Sequence, residues 1–173
     1  MLDALPLPHP FDSRAGSTLL RRAAGDDADA LIALLADDPI SAARGDVASD
    51  DDRAAYARGL DDILADPSND LLVVELEGTV VGTLQLTSIP GMARRGARRL
   101  LVEAVRVRSD LRSSGIGSAV MRWVSDAAAP ALGAALVQLT SDAARTEAHR
   151  FYQRLGYVDS HVGFKYNVPL TSA

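Results

Sequence analysis

The sequence predicts an α/β layered domain built on a mixed sheet. Three observations carry that reading. Apolar residues recur with periods of two and of about 3.6 in turn, which gives the order strand, two helices, hairpin, strand, helix, strand, helix, strands. Two aliphatic runs, Leu71 to Leu76 and Val80 to Thr87, are joined by Glu77-Gly78, a hairpin turn. A third apolar run, Leu100 to Arg108, feeds a short turn and then Gly115 and Gly117, which open an amphipathic helix.

The elements follow in order. Residues 1–17 hold Pro6, Pro8 and Pro10 and then small polar residues, and read as a flexible N-terminal leader. Thr18 to Ala23 is a short strand. Asp26 or Asp27 caps a helix over Ala28 to Ala36, whose apolar stripe is Ala30, Leu31, Leu34 and Leu35. Asp37-Asp38-Pro39 ends it, and Ile40 to Val47 is a loop. Asp50 to Asp52 place negative charge at the start of a second helix that buries Tyr56, Leu60, Ile63 and Leu64. After the hairpin, Ile89 to Gly96 is a loop with basic residues Arg94, Arg95, Arg98 and Arg99 at and beyond its end.

The helix from Gly117 to about Ala128 aligns Val120, Trp123, Val124 and Ala127, and Pro130 and Gly133 end it. Leu136 to Thr140 is a buried strand. The next helix sets Ala144, Ala148, Phe151 and Leu155 on one face and stops at Gly156, and Tyr157 to Val168 reads as a final strand pair. Residues 169–173 are a tail.

Composition excludes several functions. At 173 residues with 47% hydrophobic content, the chain suits one domain with a real core. A formal net charge of -5 predicts no nucleic-acid partner and no adhesion to an anionic membrane, because both need a basic face. There is no cysteine, so disulfides, thiolate nucleophiles and cysteine zinc sites are ruled out. The opening residues lack a basic n-region and an apolar run, and no segment approaches the roughly 20 apolar residues that span a bilayer; a cytoplasmic protein is expected. His9, His149 and His161 have no ligand spacing, no metal is expected, and no G-x-S-x-G motif occurs.

The stretch Val105 to Val120 has the order of an anion site. First-turn N–H groups of a helix lack intrahelical partners and sit at the positive end of the helix dipole. Glycines at 115 and 117 let a phosphate oxygen approach them, and Arg112 adds a guanidinium at the mouth. A Walker A loop would need a lysine after its last glycine, and the chain's one lysine is Lys165. A dinucleotide loop would need Gly or Ala at position 120 and an acidic residue about twenty positions on, where Leu136, Val137 and Gln138 stand instead.

Arg112-Ser113-Ser114-Gly115-Ile116-Gly117 resembles the R/Q-x-x-G-x-G/A acyl-coenzyme A loop of the GCN5-related N-acetyltransferases, the GNAT family. Phe151-Tyr152-Gln153-Arg154-Leu155-Gly156-Tyr157 resembles that family's F-Y-x-x-L-G-F/Y segment at its usual place. The resemblance runs from about Thr18 to Tyr166. It implies a single GNAT-like domain over 18–168, an α/β (α+β) fold with a central mixed, mostly antiparallel sheet flanked by helices on both faces and a splayed strand pair at the coenzyme site, with acetyl-coenzyme A as co-substrate and a small-molecule or peptide amine as acceptor. Coenzyme contacts would come from Val105, Arg106, Val107, Arg112, Ser113, Ser114, Gly115, Ile116, Gly117 and Ser118. The strand amide at Val105 would polarise the thioester carbonyl. Assembly is open, with a homodimer among the possibilities.

Acyl transfer to an amine needs a base, a stabilised oxyanion and a proton for the leaving thiolate. Alternation puts Leu101, Glu103, Val105 and Val107 on one strand face, where a carboxylate among aliphatics is desolvated; Glu103 is the candidate base, or else pairs with Arg99. By resemblance Tyr152 protonates the thiolate, although a tyrosine at the edge of an apolar stripe also suits simple packing. Arg145 stands where many relatives carry an asparagine seven residues before that tyrosine, and either reaches a coenzyme phosphate or is solvated. Acidic residues Asp37, Asp38, Asp46 and Asp50 to Asp52 would attract a cationic amine, or serve as caps; the arginines at 94–99 would favour a carboxylate-bearing acceptor. A non-catalytic acyl-coenzyme A sensor and a longer acyl donor are the rival readings.

Overall fold

Backbone pairing places six strands side by side in chain order: β1 (His9–Ser13), β2 (Gly16–Arg22), β3 (Asn69–Leu76), β4 (Thr79–Ile89), β5 (Arg98–Val107) and β6 (Ala134–Leu139). The computed structural model describes residues 2–169 except Arg44, Asp46 and Val47. It divides into two compact units, 1–139 and 140–173. Neighbours from β1 to β5 are antiparallel. β5 and β6 are parallel, since the chain between them crosses over through a helix rather than a tight turn. At the β3–β4 turn Glu77 (φ 50°) and Gly78 (φ 78°) are both left-handed, the geometry that matches the twist of a two-residue hairpin.

The first unit carries α1 (Ala28–Ala36), the single turn α2 (Pro39–Ala42), α3 (Arg53–Ala65), the short turn α4 (Ala93–Gly96), α5 (Ile116–Trp123) and α6 (Ala129–Ala131). Register sorts the sheet into two faces. Leu71 pairs with Gln85, Val73 with Thr83 and Gln85 with Glu103, so these share one face. There Leu71 and Val73 cluster with Ala23, Leu31 of α1 and Leu60 of α3. The other face holds the wholly buried Leu20, Leu72, Leu84, Leu86, Leu100 and Val102. His9, opposite Leu20, meets the Trp123 ring at 6.1 Å, which puts α5 on that face with Ile116, Val120, Met121 and Val124 buried.

Several expectations need correction. Residues 1–17 are not a free leader: β1 pairs with β2, and Leu2 and Leu5 are buried. Asp27 makes no side-chain cap to α1, because its carboxylate is taken by Arg21 at 2.8 and 2.9 Å and by the Ala24 N–H at 2.8 Å. The loop expected over 40–47 begins as α2, which Asp38 caps through the Ser41 N–H at 2.9 Å. In α3 only Leu60 is buried, and Leu64 is 41% exposed.

Pro130 does not end the long helix. The backbone widens into a π turn over Val124–Ala128 before α6, where a proline fits the first turn because its missing N–H costs no bond. β6 is only half-buried. In the second unit α7 (Thr146–Arg154) closes at Gly156 (φ 89°) as expected, but Ala144 precedes it. Residues 157–169 form no strand among the described residues; Val158, Val162, Phe164, Tyr166 and Val168 alternate with polar or small residues but have no ladder partner to hold them.

Candidate active site

β5 sets the site because it changes partners halfway along. Its ladder with β6 runs from Arg98 to Val102, and its ladder with β4 continues to Val107. β6 ends at Leu139, the partner of Val102, so the edge of β5 from Glu103 onward has no β6 residue beside it. The β4 register jumps at the same place: Gln85 pairs with Glu103 and Thr83 with Arg106, so Leu84 faces both Ala104 and Val105. That is a β-bulge, with Ala104 at φ 51°.

The bulge overturns the expected alternation. One extra residue shifts every later side chain, so Arg106 rather than Val107 shares the face of Glu103 and Gln85. The desolvation expected for Glu103 is also absent, because its side chain is exposed. No hydrogen bond or ion pair joins it to Arg99 or to any other described residue. Arg106 reaches across the same face to α2, donating from Nη2 to Ser41 Oγ at 2.8 Å and from Nη1 to its neighbour's carbonyl, Val105 O, at 2.9 Å.

After β5 a 3-10 turn, Ser109–Leu111, leads into the glycine loop. Asp37, at the end of α1, caps that turn: its carboxylate accepts from Ser109 N at 2.7 Å and from Ser109 Oγ at 2.8 Å. Arg108 pairs with Asp110 at 2.7 Å, which holds the aspartate below its ordinary range and raises the arginine. The capping roles of Asp37 and Asp38 account for two members of the acidic cluster. Ser49 and Asp50 to Asp52 form the turn before α3, and Asp46 lies outside the described residues.

The loop is held from a distant part of the chain. Arg14, in the β1–β2 turn, donates its guanidinium to Ser113 O and its backbone N–H to Ser114 O at 2.8 Å. A peptide's N–H points opposite to its C=O, so fixing Ser114 O on Arg14 turns the Gly115 N–H away from it, toward the open side. Gly115 sits at φ 97° as the residue before α5, and a Cβ there would meet no atom within 4 Å. The first bond back to Gly115 O comes from Ala119 N at 3.0 Å, which leaves the N–H groups of the first turn without helical acceptors. Ser114 Oγ is buried in this loop with no hydrogen-bond partner, and the exposed Arg112 has no partner among the described residues. Open space over helix-end donors, an orphaned hydroxyl and a free guanidinium together fit an anionic phosphate group.

Of the residues expected at the coenzyme, Val105, Arg106 and Val107 thus lie on the bulged strand, and Arg112, Ser113, Ser114, Gly115, Ile116, Gly117 and Ser118 on the loop and first turn of α5. Ile116 is wholly buried, so its side chain serves packing and only its backbone is offered. Arg14 was missed by sequence reasoning, since its partner is 99 residues away and no local pattern signals it. In the second unit Arg145 is the residue before α7, and Tyr152 packs edge-on against Phe151 at 5.1 Å and Tyr157 at 5.9 Å. His149 Nε2 meets Asp142 O at 2.8 Å, and His161 Nδ1 meets Ser160 Oγ at 2.8 Å.

Comparison with known proteins agrees with this geometry. Residues 28–157 match the model of the acetyltransferase (GNAT) family. No curated protein sequence matches the chain. Among solved structures, a transcriptional regulator from Bacillus halodurans C-125 is 32% identical with a TM-score of 0.82, over 92% of this chain and all of that one. Glucosamine-6-phosphate N-acetyltransferase from Arabidopsis thaliana shares the fold at 18% identity and a TM-score of 0.70, over 88% of this chain and 99% of its own. Ribosomal-protein-alanine N-acetyltransferase from Brucella melitensis biovar Abortus 2308 does so at 17% and 0.68, over 88% and 99%. With its glycine loop, its bulged strand and a family match across three-quarters of its length, this chain belongs to the GNAT acetyltransferase family.

Proposed function

We propose that this protein is an N-acetyltransferase that moves acetyl from acetyl-coenzyme A to an amine by direct attack in a ternary complex. The observation that carries the reading is the loop from Arg112 to Ser118, which brings together a left-handed glycine with open space around it, first-turn donors, a buried unpartnered hydroxyl and a free arginine. Acetyl-coenzyme A supplies an activated thioester carbonyl. The loop backbone and Arg112 bind its phosphates, and Arg145 is the further cationic contact. The amide of Val105, in the bulge, polarises the carbonyl.

Glu103 takes a proton from the acceptor ammonium through water, which suits an exposed and unpaired carboxylate better than direct contact. The amine nitrogen then bonds to the carbonyl carbon as the carbon–sulfur bond breaks. Tyr152 gives its hydroxyl proton to the departing sulfur, and the second proton shed by the nitrogen as it becomes an amide restores the phenol; the role rests on the place of Tyr152 in the Phe151-to-Tyr157 segment, and a phenol is neutral and able to donate at pH 7. The coenzyme leaves as the free thiol and the acceptor as an amide.

Titration calorimetry with acetyl-coenzyme A, followed by thiol-release assays on amines, tests this. Tyr152→Phe should lower kcat at least tenfold while the coenzyme Kd stays within twofold. Loss of coenzyme binding in that variant would mark the tyrosine as structural. A second reading is a non-catalytic acyl-coenzyme A sensor, favoured by the 32% identity to a transcriptional regulator. It predicts coenzyme binding that is indifferent to both Glu103 and Tyr152, with no turnover of any amine.

A further inference from the structure

We infer that the acceptor is an amine carried on a small apolar body. The inference rests on the acetyltransferase reading and deepens it. Between α1 and α3, on the Glu103 face of the sheet, lies a cavity of about 240 Å³. Its walls are aliphatic, from Leu31 and Leu35 on α1 to Leu60 and Ile63 on α3, and no charged side chain among the described residues lines it. Its polar groups are few: Tyr56 on α3, with Thr83 and Gln85 on β4.

Each of those two β4 residues spends one donor on the protein itself. Thr83 Oγ1 donates to Leu72 O at 2.9 Å, and Gln85 Nε2 donates to Asn69 Oδ1 at 2.9 Å. A sugar or polyamine placed here would lose water hydrogen bonds and find little to replace them, which disfavours polar bodies. An apolar body loses nothing and removes its surface from water. The volume lies just below the roughly 300–1,000 Å³ usual for small-molecule sites, so the group is small, a single ring or a branched chain.

Placement ties this cavity to the reaction. Gln85 on its wall is the cross-strand partner of Glu103, and Ala104 of the bulge also lines it. Opposed residues on an antiparallel pair lie side by side on one face, so the unpaired carboxylate stands next to the cavity wall where β5 leaves β6. An amine whose apolar part fills the cavity presents its nitrogen at that carboxylate.

Gly59 is the position at which the inference can be tested. It lies inside α3, where glycine costs about 1 kcal/mol relative to alanine. It lines the cavity, and a Cβ built on it would meet nothing within 4 Å. Gly59 is itself exposed while lining the cavity, so it sits at the open rim, where a larger side chain can be introduced without meeting protein atoms.

The test compares wild type with Gly59→Leu, a helix-favouring change that places a branched side chain at the rim of the cavity. Acetyl-coenzyme A binding is measured by calorimetry, and thiol release is measured with benzylamine and isoamylamine against ethanolamine and glucosamine. Wild type should favour the apolar amines in kcat/KM by at least about tenfold, the scale of one or two methylene contacts in a fitted pocket. Gly59→Leu should erase that preference, mainly through KM, with coenzyme Kd and melting temperature kept. Preference for the polar amines, no turnover of either apolar amine by coenzyme-bound enzyme, or an unchanged profile in Gly59→Leu would overturn the apolar acceptor alone. Failure of wild type to bind acetyl-coenzyme A would instead remove the acetyltransferase reading on which it rests.

Discussion

Gly115→Ala separates the two reasons for a glycine at the start of α5. In the protein alone the cost is conformational: an L-residue at φ 97° loses about 1–2 kcal/mol, and no clash adds to it because the space around a Cβ is open. For a chain of this size each kcal/mol lowers the melting temperature by roughly 2–4 °C, so the variant should melt only a few degrees below wild type. For the coenzyme the cost is steric. A phosphate oxygen must come within about 2.7–2.9 Å of a loop N–H, and a methyl group on the adjoining Cα stands in that approach. Losing one charge-assisted bond is worth about 1.5–3 kcal/mol, or roughly tenfold to a hundredfold in Kd. Calorimetric titration with acetyl-coenzyme A, beside scanning calorimetry of the free protein, reads both quantities. A Kd within twofold of wild type, with the expected drop in melting temperature, would show that the open space is not where the phosphate sits and would refute the loop assignment.

Arg14→Ala should free the Ser113 and Ser114 carbonyls and let the Gly115 N–H wander; removing one exposed charged bond predicts about threefold to tenfold weaker coenzyme binding, checked by the same titration. The ion-paired Asp27 makes a pH prediction. Its Arg21 bonds hold its folded pKa below the ordinary value of 3.8, so its stabilisation is complete above that value and is lost as pH falls through the folded pKa. Asp27→Asn should therefore destabilise by roughly 1–3 kcal/mol at pH 7 in urea unfolding, with the gap to wild type closing below pH 4. Asp70 acts in the opposite sense, since burial raises its carboxyl despite Arg22 at 2.9 Å. Asp70→Asn should accordingly cost less at pH 7 than Asp27→Asn, and equal losses would contradict the assigned causes.

How much of this was legible in the sequence follows from the range of each interaction. The limits of α1 came from its apolar period and the Asp37-Asp38-Pro39 stop, although the expected cap is absent, and the β3–β4 hairpin came from its two-residue turn, because those signals are local. The glycine loop was legible for the same reason: a strand, a turn and an opening helix lie within sixteen residues, and the anion chemistry belongs to backbone groups that any such helix end exposes. The acetyltransferase resemblance rested on two such local segments.

What failed was non-local. Alternation along β5 put Glu103 with Val105 and Val107, but the bulge against Leu84 is set by pairing with β4, and one inserted residue reverses every face beyond it. The expected burial of Glu103 failed because β6 stops pairing after Val102, which β5 alone cannot show. The first seventeen residues looked unstructured because β1 gains its ladder only from β2, and Arg14 finds its acceptors in the loop across the fold. Sequence by itself determined the fold class, the glycine loop at the start of α5 and the residue types on offer, since these depend on periodicity and on chemistry carried by neighbours in the chain. Tertiary structure alone decided which of those residues share a face, which loop carbonyls are pinned and where a cavity opens beside Glu103, since each depends on a partner that only folding brings into reach.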